Sequence, residues 1–460
     1  MSGRFVYIND TCNIFERAQR LLLDGRWPLA GNVSGISIGP LGDLLTALPI
    51  LLTGKMESAY DFVCLLYLIS IPVFFAAVKP FIKDPYGRCG ATLWFASFPL
   101  IGTILITPWN TSYLPIFLAL YTWTLGRFEL NPHAGRLLVL YFLIGLCMHL
   151  HFTCLLLIPG TWVYLRGLDY RKRPPLIYHA AGLVIVIALH ATVIYDYLHH
   201  ANPLPGGANL SFSWLVFVTG LFLMPALVAF PALLLAFLGI FIPGKRAGLA
   251  ALKSSKPLLL TMIVMALGVS LMAGLYGNNQ VRYYFALFPF ISILTGRMTA
   301  HFFSYSSKAL RVAVASLCLI FLVALIRFGF LISDIDHRCE RLSFQQSLAD
   351  HVRDIIGNDD ETAQGRIVHD CFFEDGEAHY SPRWSTDNCV DTMIRFRGGR
   401  PPDNVAGGTG IHLYTLARPV KWTEKIIRGK RRIDPFSLPP GCTFLFRDAG
   451  LATYSCRETK

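Results

Sequence analysis

The amino-acid sequence predicts an α-helical polytopic membrane protein of about ten transmembrane helices, followed by a small C-terminal α+β domain. Three observations carry this prediction. The 460 residues are 53% hydrophobic and only 15% charged, whereas about a quarter of the residues in a soluble domain are charged. Apolar runs of about 15 to 30 residues recur along the chain, and acidic residues concentrate near its end. This composition argues against a soluble enzyme.

The apolar runs define the predicted transmembrane helices, because a helix needs about 20 residues to cross the hydrocarbon core. Ten runs lie at residues 59–78, 90–106, 113–125, 137–148, 153–165, 176–198, 212–242, 258–276, 283–294 and 310–332. Several are short. Run 212–242 permits one long helix bent at Pro225 and Pro231, or two helices.

Acidic residues divide the chain into three regions. Of the 29 acidic residues, 19 lie from Asp334 onward and six lie between Asp10 and Asp61. We therefore predict an extracytoplasmic loop with interfacial helices at residues 1–58, a transmembrane domain at 59–333 and an extracytoplasmic domain at 334–460.

Basic residues predict the orientation of the transmembrane domain. About 16 Lys and Arg residues lie in loops 79–88, 127–136, 166–173, 245–256 and 297–311, whereas the alternate loops hold only Arg282. This bias places the first set in the cytoplasm, provided that run 212–242 crosses once. The formal charge of +12 is therefore attributed to orientation in the bilayer, and no nucleic-acid partner is predicted.

Two interfacial helices are predicted before the first span. Apolar residues recur at helical spacing from Ile14 to Leu22, with Thr11 or Asn13 as the cap and Gly25 as the stop. Residues 41–53 form a second apolar segment, which reaches only about 20 Å and so favours an interfacial helix over a span. With residues 1–58 outside, we expect a further transmembrane helix upstream of Met1 in the native protein.

The order of short motifs in the loops resembles a known superfamily. An acidic residue opens the first helix, and further motifs follow at Leu22-x-x-Gly25-x-Trp27-Pro28, Gly39-Pro40, Thr107-Pro108-Trp109-Asn110, His149-Leu150-His151, Arg282-Tyr283-Tyr284 and Pro289. Over roughly residues 5 to 300 this order is similar to that of the GT-C membrane glycosyltransferases. It is most similar to the bacterial aminoarabinose transferases of lipid A and to the protein O-mannosyltransferases.

The resemblance implies transfer of a sugar from a polyprenyl-phosphate donor to an extracytoplasmic lipid, glycan or protein acceptor. Asp10 stands at the family's catalytic acidic position, and Arg282 is predicted to bind the leaving phosphate. The family often has a second acid beside the first, whereas Asn9 and Thr11 flank Asp10 here. Asp43 and Asp61 are therefore reserve candidates. Alternatively, Asp10 caps its helix.

Further substrate-binding residues are predicted at the loop ends: Tyr283, His149, His151, Asn110 and Asp43. Arg17 and Arg20 are expected to face lipid headgroups, with contact to a lipid phosphate as the alternative. No metal or other cofactor is predicted, because the outer loops contain no DxD motif and no third ligand accompanies the two histidines.

Two other functions remain open on the sequence. A membrane transporter would also have many helices, although the spans between residues 90 and 300 contain few acids and no repeated halves. A polymerase or ligase of lipid-linked glycans would use similar donors. For the transferase we predict a bacterial inner membrane, with the active site and the C-terminal domain on the extracytoplasmic side.

Overall fold

The structure is a computed structural model of the chain. It describes residues 9–25, 27–28, 31–33, 36–101, 108–168, 174–199, 213–223, 255–276, 281–312, 316, 319–320, 323, 348, 350–351, 367–373, 379–380, 411–417, 443–448 and 451–457. Within these ranges the chain up to residue 323 is largely helical, and the part after residue 366 is β-sheet.

The N-terminal region consists of two helices joined through a β-hairpin. Helix α1 spans Asn9–Asp24, strands β1 and β2 span Gly31–Val33 and Ile36–Ile38, and helix α2 spans Leu41–Thr53. The amphipathic α1 and the short apolar α2 were both predicted. Gly25 follows α1 with φ of 63°, a left-handed conformation that ends a helix at little cost with glycine.

Helix α1 packs against protein rather than lying freely on a surface. Its apolar residues Ile14, Phe15 and Ala18 are buried, and the ring of Phe15 stacks on Tyr60 with centroids 5.9 Å apart. The predicted caps Thr11 and Asn13 are wrong, because the helix already begins at Asn9 and both residues lie inside it.

The helical body follows in chain order. Its α-helices are α3 Glu57–Ala77, α4 Pro85–Ile101, α5 Leu114–Leu130, α6 Ala134–Leu150, α7 Leu157–Arg166, α8 Leu176–Leu189, α9 Ala191–His199, α10 Trp214–Val218, α11 Lys256–Tyr276 and α12 Phe288–Tyr305. Three 3₁₀ helices, Asn110–Tyr113, Phe152–Leu156 and Val281–Leu287, directly precede α5, α7 and α12.

Two of the described helices are long and apolar enough to cross a membrane, α3 and the segment Lys256–Leu275 of α11. Shorter apolar segments are Leu41–Thr53, Ala134–Leu150, Phe152–Arg166 and Leu176–Leu189. Much of predicted spans 212–242 and 310–332 lies outside the described residues. The mainly helical class agrees with the structure, while the embedding in a membrane and the number of ten crossings stay predictions.

Two predicted spans differ in detail from the structure. Run 176–198 is divided into α8 and α9 at His190, whose Nδ1 lies 2.9 Å from the carbonyl oxygen of Val186. Run 283–294 begins as a 3₁₀ helix and continues as α12 to Tyr305. Hydropathy could not locate either feature, because both sides of each junction are apolar.

Glycines permit close helix packing in the body. A Cβ added at Gly87 of α4 would lie 2.7 Å from the carbonyl oxygen of Gly296 on α12. Small residues allow membrane helices to approach at such distances. Buried tyrosine hydroxyls add hydrogen bonds between helices, as from Tyr164 to the Glu129 carboxylate at 2.6 Å.

The C-terminal part contains a five-stranded sheet in the order β4-β3-β5-β7-β6. The strands are β3 Ile367–Phe373, β4 His379–Tyr380, β5 Ile411–Ala417, β6 Thr443–Asp448 and β7 Leu451–Arg457. Strands β3 and β5 are parallel and the other neighbours are antiparallel. The domain boundary at residue 333 and the helical component of this region stay predictions.

Candidate active site at the start of helix α2

The start of α2 is the point where several predicted site residues meet. A Cβ added at Gly39 would lie 2.0 Å from Nδ1 of His149, and one added at Gly42 would lie 1.8 Å from Oδ1 of Asn110. Gly39 precedes the N-cap Pro40, and Gly42 lies in the first turn of α2. The two glycines therefore allow His149 to approach the chain just before α2 and Asn110 to approach the first turn of α2.

This close approach makes Gly42 sensitive to substitution. We expect Gly42→Ala to displace the Asn110 side chain or the adjacent 3₁₀ helix, since contacts under 3.0 Å cannot be tolerated. The cost should be roughly 1–3 kcal/mol in unfolding free energy, measured by thermal unfolding of the purified protein. Adding Asn110→Ala should recover part of the loss; equal stability of Gly42→Ala and wild type would contradict this packing.

An ion pair joins α1 to Asp43, the residue of α2 that follows Gly42. Nε of Arg17 donates to Oδ2 of Asp43 at 2.9 Å, and only 1% of the Asp43 side chain is exposed. Burial raises the pKa of the Asp43 carboxyl from 3.8 to about 6, an effect that the Arg17 charge and hydrogen bond partly offset. Oδ1 of Asp43 and Nη2 of Arg17 have no hydrogen-bond partner among the residues that the structure describes.

The expectation that Arg17 faces lipid headgroups is therefore wrong. Arg17 is 16% exposed and turns inward, because α1 packs on α2 and places a buried carboxylate opposite it. Arg20, one turn later, is 56% exposed and pairs instead with Glu16. The reserve candidate Asp61 lies exposed on α3.

The 3₁₀ helix Asn110–Tyr113 contributes further polar groups. Asn110 is 4% exposed and Thr111 is 5% exposed. Within the described part of the chain, neither amide atom of Asn110 has a hydrogen-bond partner, nor has the hydroxyl of Thr111. Tyr113, in contrast, shares a hydrogen bond of 2.8 Å with Thr46 of α2. This bond fixes the 3₁₀ helix to α2.

The two predicted histidines flank the end of α6 and have different surroundings. Nε2 of His149 donates to the carbonyl oxygen of Leu189 at 3.0 Å, and its ring meets that of His190 with centroids 4.4 Å apart. His151 lies 2.7 Å from the Thr153 hydroxyl through Nδ1, and its ring lies 5.8 Å from that of Tyr283. The structure thus brings His151 and Tyr283 together.

The remaining two predicted residues are described by their backbone positions. Asp10 lies in the first turn of α1, and Arg282 lies in the 3₁₀ helix Val281–Leu287. The latter packs on the 3₁₀ helix Phe152–Leu156, next to His151. Their side chains fall outside the described part, so their roles stay predictions.

Three polar residues of this region were missed or misread from the sequence: Arg17 as the partner of Asp43, Thr111 and His190. Only for Arg17 does the sequence indicate a position near the buried side of its helix, because this residue lies between the apolar residues Phe15 and Ala18. Among the described residues no group of three His, Cys, Asp or Glu side chains is placed to hold a metal ion.

Comparison with known proteins reveals a likeness in fold. No family model and no curated protein sequence matches the chain. The solved structure of ArnT from Cupriavidus metallidurans bound to undecaprenyl phosphate matches 99% of this chain and 94% of its own, with 14% identity and a TM-score of 0.52.

Two other solved structures match with a TM-score of 0.47. The apo state of the same ArnT is 14% identical over 99% of this chain and 94% of its own. The Archaeoglobus fulgidus oligosaccharyltransferase in its apo form is 11% identical over 87% of this chain and 61% of its own. The ArnT likeness at a TM-score of 0.52 establishes fold rather than activity. The chain therefore shares the fold of this ArnT, in agreement with the resemblance drawn from the order of its loop motifs.

Proposed function

We propose that the protein is a membrane glycosyltransferase that moves a sugar from a polyprenyl-phosphate donor to an extracytoplasmic acceptor. The observation that carries the proposal is the group of polar residues Asp43, Arg17 and Asn110 near the start of α2, in a chain that shares the fold of ArnT. Buried polar atoms without partners are rare in folded proteins and concentrate at functional sites. ArnT, which shares the fold, is described with undecaprenyl phosphate bound.

The reaction requires a base for the acceptor and a cation for the leaving group. Asp10 would take the proton from the acceptor hydroxyl while that oxygen attacks the anomeric carbon. The bond from this carbon to the phosphate oxygen breaks, and its electron pair leaves with the polyprenyl phosphate. Arg282 would stabilise the charge on that phosphate. Direct displacement inverts the anomeric configuration.

Contacts of neighbouring residues support the proposal that Asp10 and Arg282 belong to one site. Asp10 lies at the start of α1, the helix that Arg17 joins to α2. His151 and Tyr283 connect the region after α6 with the 3₁₀ helix that contains Arg282. A donor whose polyprenyl tail stays in the bilayer would approach such a site from the lipid side.

The nature of the acceptor and the competing functions can be examined in cells. We expect deletion of the gene to remove one sugar from the envelope glycans, lipids or glycoproteins, because the linkage to that sugar is not formed without the transferase. Compositional analysis of the envelope measures this. An unchanged composition with altered solute uptake would favour a transporter. Shortened or unattached glycan chains of unchanged composition would favour a polymerase or ligase.

A further inference from the structure

Four polar residues near the start of α2, three of them buried and the fourth, Arg17, 16% exposed, have hydrogen-bonding capacity that the protein leaves unused. The side chains of Asp43, Asn110 and Thr111 are at most 5% exposed. Across the described ranges, Oδ1 of Asp43, Nη2 of Arg17, both amide atoms of Asn110 and the Thr111 hydroxyl have no hydrogen-bond partner. Each such atom loses its hydration on folding and regains nothing, so the cluster destabilises the protein.

These residues lie on three elements, of which α1 and the 3₁₀ helix Asn110–Tyr113 both contact α2. Arg17 of α1 bonds directly to Asp43 of α2. The Asn110 side chain touches Gly42, the residue before Asp43, and Thr111 follows Asn110 in the same 3₁₀ helix. Consecutive residues of a helix point about 100° apart. The amide and the ion pair therefore lie on adjoining sides of the same turn of α2.

The types of unused atoms indicate the class of ligand. Nη2 of Arg17 and Nδ2 of Asn110 are donors, Oδ1 of Asp43 and Oδ1 of Asn110 are acceptors, and a threonine hydroxyl is both. The charges of Arg17 and Asp43 compensate each other. A phosphate dianion offers acceptors only and would be repelled by the carboxylate. A sugar hydroxyl donates and accepts at once and carries no charge.

We infer that Arg17, Asp43, Asn110 and Thr111 form a subsite that binds ring hydroxyls of a carbohydrate, with the phosphate held elsewhere. The inference rests on the proposed function and adds the part of the substrate that this cluster recognises. The carbohydrate is either the sugar of the lipid donor or a sugar of the acceptor. Both present the same vicinal hydroxyls, and the experiment below distinguishes them.

The first arm of the experiment compares two threonines by thermal unfolding of the full chain in nanodiscs. Thr111→Val removes a hydroxyl without a partner, so we expect an unchanged or higher Tm. The matched control Thr46→Val removes the partner of the buried Tyr113 hydroxyl. It should lower Tm by about 2 °C or more. A drop of Tm in Thr111→Val equal to that of the control would show a structural role for the cluster and overturn the inference.

The second arm measures ligand affinity in the same nanodiscs. The probes are undecaprenyl phosphate, undecaprenyl-phosphate-linked glucose, mannose and galactose, and the methyl glycosides of these sugars. If the donor sugar is the ligand, we expect a lipid-linked sugar to bind wild type more tightly than undecaprenyl phosphate does. If a sugar of the acceptor is the ligand, we expect a methyl glycoside to bind wild type. Asn110→Ala and Thr111→Val should each reduce the affinity for that sugar-bearing probe about three- to tenfold. Their affinity for undecaprenyl phosphate should stay within about twofold of wild type.

The pattern of affinity losses distinguishes the donor sugar from an acceptor sugar, and failure of the subsite from failure of the proposed function. A loss confined to the lipid-linked sugars identifies the donor sugar as the ligand, and one confined to the methyl glycosides identifies the acceptor. Lipid-linked sugars that bind wild type no more tightly than undecaprenyl phosphate, together with methyl glycosides that do not bind, would overturn the subsite and leave the proposed donor class intact. Failure of wild type to bind any polyprenyl probe would refute the proposed function, and the subsite with it.

Discussion

Asp10→Asn is expected to abolish glycosyl transfer while leaving the protein folded and inserted in the membrane. An amide has almost the volume of the carboxylate but cannot accept a proton from the acceptor hydroxyl. Loss of a positioned general base typically lowers a rate about 10²- to 10⁴-fold. The measurement is the initial rate of sugar transfer from lipid to acceptor, normalised to the amount of protein in the membrane.

The control for this prediction is a neighbouring acid on the same helix. Glu16 lies on α1 and pairs with the exposed Arg20. We expect Glu16→Gln to keep a rate near that of wild type. If Asp10→Asn retained transfer while Asp43→Asn lost it with the fold intact, the base would be Asp43. Asp10 lies inside α1 and is therefore not its N-cap; a purely stabilising role of its charge in the first turn would appear as a lower Tm with little change in rate.

Arg17→Met is expected to destabilise the protein strongly, because it leaves the buried Asp43 carboxyl without its counter-ion. Removal of one partner of a buried ion pair typically costs about 3–5 kcal/mol. The double variant Arg17→Met/Asp43→Asn should recover much of this loss, since no uncompensated charge remains. Thermal unfolding of the four members of this cycle measures the coupling.

The exposed ion pair of the same helix provides the comparison. Arg20 is 56% exposed, and Arg20→Met should change the unfolding free energy by at most about 1 kcal/mol. Equal effects of Arg17→Met and Arg20→Met would show that Arg17 and Asp43 are not buried together. The contrast therefore tests the placement of α1 on α2.

The pH dependence of stability follows from the raised pKa of Asp43. Its value of about 6 in the folded protein exceeds the ordinary 3.8, so the folded state holds the proton over this interval. The contribution of Asp43 to the unfolding free energy therefore decreases as pH rises from about 4 to 6, by at most roughly 3 kcal/mol, and is constant above. Asp43→Asn should remove this decrease from a plot of Tm against pH; an unchanged slope would contradict the burial of the carboxyl.

The parts of the fold that sequence reasoning predicted are those with a strong local pattern. The apolar spacing of α1, the stop at Gly25 and the short helix α2 were readable from residues close in the chain. Helix junctions inside apolar runs, such as the one at His190, could not be predicted from the sequence, because hydropathy does not change there.

Several residues of the candidate site could be predicted from the sequence, but the contacts between them could not. Asn110, His149 and Asp43 were identified at loop ends, and Gly39 and Gly42 explain how the first two reach α2. The pairing of Arg17 with Asp43 joins residues 26 positions apart. It depends on the packing of α1, which no local spacing encodes. A buried arginine and an exposed one look alike in the same amphipathic helix until that packing is known.

The most direct measurement follows a labelled sugar from lipid to acceptor. The purified chain is added, in nanodiscs, to envelopes of the deletion strain whose own polyprenyl-phosphate sugars have been radiolabelled. We expect the label to move from the lipid extract into the envelope fraction with wild type and to stay in the lipid extract with Asp10→Asn. A label that remains on the lipid with both proteins, although both are folded and inserted, would contradict the assignment as a glycosyltransferase.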